Sequence, residues 1–329
     1  MLKDLIMGIT YTNIKYTKII LAIDNKLITL YLRYRNIYLL TSFFLIMLIG
    51  IAMVKGKAAI VFNDAKKFYY DDLSIYDKCI TEKPELFFKY LKTYKSHDLI
   101  EINEPENYMP PSPVERVYLP AINFKSHSSE SSMTQISSPY FFQKFKTSIV
   151  PHKGIAYIPK NVSKFDYEGE IAIVIGGKGK YLSKADAKSV IFGFSIVNDL
   201  SIRDYQMVEY PRYGKNWVLG KSEDYGLPYG PFILPIEDAG ELYFEIKTYV
   251  NNELRQDGNT NDMIFSMDEL ISEISKITML RPGDIITTGT PAGVAVHNSK
   301  VFLKDGDKVR VNVSKIGTLE TLIKNEKSL

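Results

Sequence analysis

Asp166-Tyr-Glu-Gly-Glu-Ile-Ala-Ile-Val-Ile-Gly176 sets two carboxylates, Glu168 and Glu170, at the mouth of an apolar run. A strand has a side-chain period of two, so both point to one face. Ile171 to Ile175 then reads as buried sheet. Two anions side by side at the edge of a core are costly unless a cation neutralises them. A hard divalent metal with oxygen ligands, Mg²⁺ or Mn²⁺, meets that need. The plainer reading is a solvated strand start with two surface glutamates.

Downstream, Phe192-Gly-Phe-Ser-Ile-Val-Asn-Asp-Leu-Ser-Ile-Arg-Asp-Tyr-Gln206 is an apolar strand that delivers Asp199 at its end. Arg203, Asp204 and Gln206 follow one turn on. A third carboxylate there completes a set that can hold a metal while leaving positions for water and substrate. The alternative is Asn198-Asp199 as a turn and helix cap. Upstream, Tyr118-Leu-Pro-Ala-Ile-Asn-Phe-Lys-Ser-His-Ser-Ser-Glu130 places His127 and Glu130 three apart, on one face of a helical turn. A carboxylate bonded to an imidazole fixes its tautomer and raises its basicity, which suits a general base near neutral pH. A serine-rich surface loop with a chance histidine has the same spacing.

Lys144 ends the aromatic strand Pro139-Tyr-Phe-Phe-Gln-Lys144. Gly176-Gly-Lys-Gly179 lacks the spacing of a phosphate loop and reads as a hairpin. Lys221 opens a loop and can face an anionic substrate or solvent. Ser266-Met-Asp-Glu269 is a capping box before an apolar helix. In Arg281-Pro-Gly-Asp-Ile-Ile-Thr-Thr-Gly-Thr-Pro-Ala-Gly-Val294, a strand runs into a loop whose Thr288, Thr290 and bare amides can cradle a carboxylate. Predominantly β sequence with short helices predicts an α+β, mostly β chain, a mixed sandwich or rolled sheet and not a βαβ array.

The 329 residues carry a net charge of only +3, with lysines scattered, which gives nucleic-acid binding no support. The single cysteine, Cys79, excludes an internal disulfide and a cysteine-built zinc site, and suits a reducing, cytoplasmic compartment. The first 52 residues differ from the rest. Ile37 to Val54 is an uncharged apolar run of 18 residues, long enough to span a bilayer. It reads as a membrane anchor, as a buried helix, or as part of an upstream extension with the true start at Met53. Residues 53–112 read as a small mixed domain with a helix from Pro84 and a polar, proline-rich connector over 98–115; residues 113–329 hold the catalytic motifs.

Together these stretches resemble the fumarylacetoacetate hydrolase family over roughly residues 118–324. The matching pieces are Asn123 to Glu130, Phe142 to Lys144, the Asp166–Gly176 and Phe192–Gln206 runs, Leu227-Pro-Tyr-Gly-Pro231, Asn252 to Phe265, and Leu280 to Val294. The resemblance implies a mixed β-roll, a homodimer and one Mg²⁺ or Mn²⁺ per subunit. It puts the metal on Glu168, Glu170 and Asp199, and the catalytic groups on His127, Glu130 and Lys221. It puts Thr290 and Gly289 at the substrate, with Lys144, Arg203 and Gln206 supporting them. Two positions depart from the family pattern. Ala121-Ile-Asn-Phe124 stands where Gly-x-Asn-Tyr is usual, and Glu223 stands where an aromatic residue is usual. Both are expected near the substrate tail.

The implied reaction is metal-dependent hydrolysis of a C–C bond in an acylpyruvate- or fumarylpyruvate-type 2,4-diketo acid, with His127 activating water and Lys221 countering the enolate charge. The same site serves oxaloacetate decarboxylation, isomerisation of hydroxymuconate-type diacids and dehydration of 2-keto-3-deoxy sugar acids. A membrane-anchored binding protein, touching lipid through Ile37–Val54, is the non-enzymatic alternative.

Overall fold

The computed structural model describes residues 17–23, 26–33, 36–38, 47–64, 67–71, 78–93, 99–131, 137–210 and 214–326. The chain divides into two compact units, Met1–Ile46 and Met47–Leu329. In the first, Thr17–Ile23, Lys26–Arg33 and Asn36–Tyr38 form a three-stranded antiparallel sheet. His97 and residues 39–46 lie outside the described residues.

The second unit is built on a large mixed sheet. From one edge its strands run Leu99–Ile102, Phe68–Asp71, Lys57–Asn63, Leu48–Val54, Leu227–Pro235, Ile191–Asn198, Gly169–Ile175, Ile285–Thr287, Val117–Pro120 and Phe141–Lys144. Gly169–Ile175 is buried at every residue. Its alternate side chains enter different cores. Ile171, Ile173 and Ile175 meet the helix Met267–Ile277 and Val311, Val313 and Leu319. Ala172 and Val174 meet Phe87 and Phe88 of the helix Pro84–Thr93. A strand covered on both faces reads as a continuous apolar run, as Ile171–Ile175 does. The helix Met267–Ile277 begins with the expected capping box between Ser266 and Glu269.

A second sheet, of Ile155–Ile158, Gly317–Asn325, Lys308–Val313, Glu245–Val250 and Glu253–Asn259 in that order, packs over the site-bearing strands. Gly169 marks the closest approach, since a Cβ there would lie 2.3 Å from Thr248 Oγ1 and 2.9 Å from Val311 Cγ1. This is why a glycine separates the two glutamates. The fold is the mostly β arrangement that the sequence predicts.

Two expectations are corrected, and a third gains detail. The apolar run Ile37–Val54 is not one span or helix where it is described. Leu48–Val54 is a strand, paired along its length with Lys57–Asn63 and touching Leu227–Pro235. Six of its seven residues are buried, and a doubly covered strand has the hydropathy of a membrane helix. Among the described residues no helix is long and apolar enough to cross a membrane. Met53 falls inside this strand, so 48–52 belong to the same sheet as Gly169–Ile175 and Ile191–Asn198, as do strands from 57–63, 68–71 and the 98–115 connector. Gly176–Gly179 opens the connection between the antiparallel neighbours Gly169–Ile175 and Ile191–Asn198, a hairpin whose long loop, residues 176–190, includes the 3₁₀ turn Ala187–Val190.

Candidate active site and metal centre

Glu168, Glu170 and Asp199 meet at the junction of two antiparallel strands. Gly169 pairs with Asn198 and Glu170 with Val197. The Glu168 N–H donates to Asn198 Oδ1 (2.9 Å), and the Asp199 N–H to the Glu168 carbonyl (2.8 Å). The backbone ladder therefore fixes the three acids together. Each offers an oxygen within 4.8 Å of the others, and all three are buried. Glu170 Oε2 also accepts from the Gly289 amide (3.0 Å).

Cations surround this group. Lys221 Nζ lies 2.7 Å from Glu168 Oε2 and 2.6 Å from Asp199 Oδ2. It leaves the short helix Trp217–Lys221, capped by Asn216, and is 1% exposed. Arg203, on the turn Arg203–Gln206, binds Asp166 Oδ2 (2.9 Å) through Nε and Glu168 Oε1 (2.5 Å) through Nη2, and holds the Gln206 side-chain oxygen. Asp166 in turn accepts from the Ala295 and Val296 amides (2.8 and 3.0 Å). Lys144 Nζ is 3.2 Å from Asp199 Oδ1 and 3.3 Å from Glu223 Oε1.

The electrostatics follow from this layout. Burial alone would raise the Glu168 carboxyl, but Lys221 and Arg203 outweigh it and hold the group well below the usual range. Burial, then the neighbouring Asp199 and Glu168 charges, pushes Glu170 well above it. Burial also raises Asp199, against the pull of Lys221 and Lys144. Asp166, Glu168, Glu170, Asp199 and Glu223 are five buried carboxylates facing three buried cations, Lys144, Arg203 and Lys221. Fully ionised, the cluster has two negative charges in excess, the charge of one divalent cation. Asp199 Oδ1 is buried without a hydrogen bond. An all-oxygen donor set with that charge and an unused lone pair fits Mg²⁺ or Mn²⁺.

His127 and Glu130 lie on the helix Lys125–Glu130, as expected, with His127 Nδ1 3.5 Å from Glu130 Oε2. The helix is pinned by Asn123. Its buried amide donates to the Phe265 and Thr288 carbonyls (3.0 and 2.8 Å) and accepts from the Phe265 N–H (2.7 Å). Glu130 accepts from the Gly293 amide (3.1 Å). Gly293 has φ +109, and a Cβ there would lie 2.1 Å from the Arg255 carbonyl oxygen, so only glycine fits.

A cavity of about 270 Å³ joins the two halves. His127, Glu168, Arg203, Gln206 and His297 line its polar part; Ala121, Ile122, Trp217 and Ile264 line its apolar part. A wider groove of about 1060 Å³, walled by Tyr157, Tyr225 and Glu223, holds none of the acidic triad and no histidine. The site chemistry therefore belongs to the smaller cavity. The other expected residues are placed as follows. Thr290 does not line the cavity, and its hydroxyl is spent on the Gly169 carbonyl (2.9 Å) and the Gln256 amide (2.7 Å). Gly289 serves Glu170 through its N–H. Lys144 also stays out of the cavity, as does Glu223, although Ala121 does line it. Sequence reading assigned no role to His297, whose ring centroid lies 5.7 Å from that of His127. Burial and the nearby His127 and Arg203 lower its pKa, which favours the neutral ring. Its only sequence signal is that histidines are scarce in this chain.

Residues 116–324 match the family model described as fumarylacetoacetate (FAA) hydrolase, C-terminal. The chain belongs to the fumarylacetoacetate hydrolase family. It is 38% identical over 207 residues to a mitochondrial oxaloacetate tautomerase of Bos taurus, covering 62% of this chain and 65% of that protein. The chain thus matches under two thirds of the length of such curated relatives. Among solved structures it resembles a fumarylacetoacetate hydrolase from Exiguobacterium antarcticum, at 30% identity and a TM-score of 0.73, covering 85% of this chain and all of that one. A fumarylpyruvate hydrolase from Pseudomonas aeruginosa, in complex with Mn²⁺ and pyruvate, aligns at 27% identity and a TM-score of 0.59, covering 68% and 94%. Family members thus include enzymes with hydrolase and tautomerase names.

Proposed function

We propose that this protein is a metal-dependent enzyme that acts on a small 2-oxo acid through its enolate, and that it hydrolyses the C–C bond of an acylpyruvate-type 2,4-diketo acid. The observation that carries this reading is that His127, paired with Glu130, and Glu168 of a buried acidic triad line one cavity. Glu168, Glu170 and Asp199 would hold Mg²⁺ or Mn²⁺, which when bound supplies a Lewis acid for the 2-oxo acid oxygens. With Nδ1 turned to Glu130, the other ring nitrogen of His127 is the one available to substrate. It takes a proton from water as the water oxygen attacks the distal carbonyl. The C–C bond then breaks, and its electron pair becomes that of the pyruvate enolate. Arg203, at the cavity wall, and Lys221, against Glu168, offset the charge that develops. The apolar wall of Ile122, Trp217 and Ile264 accepts the acyl group.

A second reading is keto–enol tautomerisation of oxaloacetate. The bovine relative's name favours it, and it needs the same enolate with proton transfer in place of water attack. The test is to incubate the full chain with Mn²⁺ and acylpyruvates, fumarylpyruvate or oxaloacetate. Pyruvate and free acid without carbon dioxide support hydrolysis. Faster loss of the enol absorbance of oxaloacetate, with no new product, replaces hydrolysis with tautomerisation. Carbon dioxide makes the protein a decarboxylase. Dehydratase and isomerase substrates follow if none of these reacts.

We also propose a homodimer. Val218, Leu219 and Tyr225 are each about half exposed and line the wider groove together, an apolar face that a second copy would cover. Light scattering that gives a monomer mass would refute it.

A further inference from the structure

Glu223 is a buried acid for which the proposed reaction has no use. Its side chain is 4% exposed, Oε2 has no hydrogen-bond partner, and Oε1 faces Lys144 Nζ. Burial pushes its carboxyl up to about 7, although Lys144 opposes the shift. An acid is expensive in such a place, so its effect on its neighbour matters.

The neighbour has more acceptors than protons. A lysine ammonium has three N–H donors. Lys144 spends one on the Leu200 carbonyl (2.7 Å) and one on the Gly226 carbonyl (2.9 Å). Two carboxylate oxygens then compete for the third, Glu223 Oε1 at 3.3 Å and Asp199 Oδ1 at 3.2 Å. Their distances are nearly equal, but only Glu223 has hydrogen-bonding geometry. Asp199 Oδ1 is left buried and unbonded. Asp199 is one of the three proposed metal ligands, and its other oxygen is held by Lys221 at 2.6 Å.

We infer that Glu223 is a positioning residue for metal binding: by taking the third proton of Lys144, it keeps Asp199 Oδ1 free to act as a ligand. An apolar residue at 223 leaves that proton no other acceptor, and Lys144 then turns it to Asp199. The metal must displace this bond before it can bind. Glu223 touches neither the cavity nor the metal ligands, so it acts only through Lys144. The inference rests on the metal reading of the proposed function.

The test is Mn²⁺ affinity, read by electron paramagnetic resonance of free Mn²⁺ in titrations of the full chain, without substrate. Glu223→Gln loses the charge but keeps an oxygen that can accept from Lys144. Glu223→Leu loses both. Glu223→Met, of similar length to glutamate, replaces the leucine variant if that one is unfolded in metal-free thermal melts. The expected result is a Kd raised about tenfold by the apolar variant, as for other residues that orient metal ligands, with Glu223→Gln much closer to wild type. Equal losses in the glutamine and apolar variants would mean that charge alone matters, and would overturn the inference. Unchanged affinity in both would overturn it as well. A wild-type chain that takes up no Mn²⁺ would instead overturn the metal reading on which it stands.

Discussion

Glu170 lies in a strand and Asp199 follows directly on its antiparallel neighbour, so the backbone register sets their spacing, whereas His127 and Glu130 ride on a six-residue helix with no side-chain cap. At the acidic end Glu170 is in the sheet, and Glu168 and Asp199 are tied to the strand ends by the Glu168 N–H to Asn198 and the Asp199 N–H to the Glu168 carbonyl. The imidazole end is held by one short backbone bridge, Phe124 with Met263 beside the Ile264 N–H to Asn123 carbonyl bond, and by side-chain contacts of Asn123 with Phe265 and Thr288 and of Glu130 with Gly293. The charges also differ. The acids hold an excess that a metal would relieve, while the His–Glu contact, at 3.5 Å, is still too long for a good hydrogen bond. Such contacts often tighten only once substrate is bound. A group of like charges needs a stiff frame to stay together, whereas a proton-transfer pair needs only the right reach.

Substitutions at the two ends should therefore fail in different ways. The largest effect is expected for Glu170→Gln. It should lose Mn²⁺ uptake and with it at least about 10³ in kcat, beyond the usual cost of one electrostatic group. Its metal-free melting temperature should not fall, because the change removes one of three crowded buried acids. A fall in stability, or normal Mn²⁺ uptake, would break the contrast at its acidic end. Next, His127→Ala should keep Mn²⁺ affinity and lose about 10²–10³ in kcat, typical of a lost general base. Unchanged turnover would remove the imidazole end from the chemistry.

Asn123→Ala tests how the dyad helix is held. It strands the Phe265 N–H and the Thr288 carbonyl in a buried place, which costs about 1–3 kcal/mol for each unsatisfied group. Denaturant unfolding should show the loss, and activity should fall further than Mn²⁺ affinity. Equal falls would mean that the two ends share one support. The smallest effect concerns His152, which lines neither the active-site cavity nor the acidic cluster. Burial lowers its pKa from 6.5 to about 4, and Nδ1 accepts from the Glu320 N–H (3.1 Å). Between these values the unfolded chain binds more protons than the folded one, so stability falls as pH drops from about 6.5 towards 4. His152→Asn should flatten that slope in melts taken across this range. An unchanged slope would point to the crowded acids, and would bring acid sensitivity into the site itself.

Part of this arrangement was readable in the chain. The Glu168–Glu170 spacing, Asp199 at a strand end and the three-residue step from His127 to Glu130 are local patterns. Strand and helix periods convert such patterns directly into shared faces. The Leu48–Val54 part of the membrane-like run is a buried strand, and hydropathy does not distinguish burial between protein layers from burial in lipid. The partners of the Thr290 hydroxyl, the Gly169 carbonyl and the Gln256 amide, were not readable in the chain, because a hydroxyl bonds to whichever polar groups the fold sets beside it.

Sequence by itself determined the family, the mostly β layout and the acids and histidine that carry the proposed chemistry, since each is set by residue type and short spacing. Only the tertiary structure decided that Lys221 bridges Glu168 and Asp199, that His297 stands beside His127, and that Glu223 competes for Lys144. These pairs are 22 to 170 residues apart in the chain, and no local period reaches that far. Their meeting follows from strand order and from the burial that brings distant charges into one dry space.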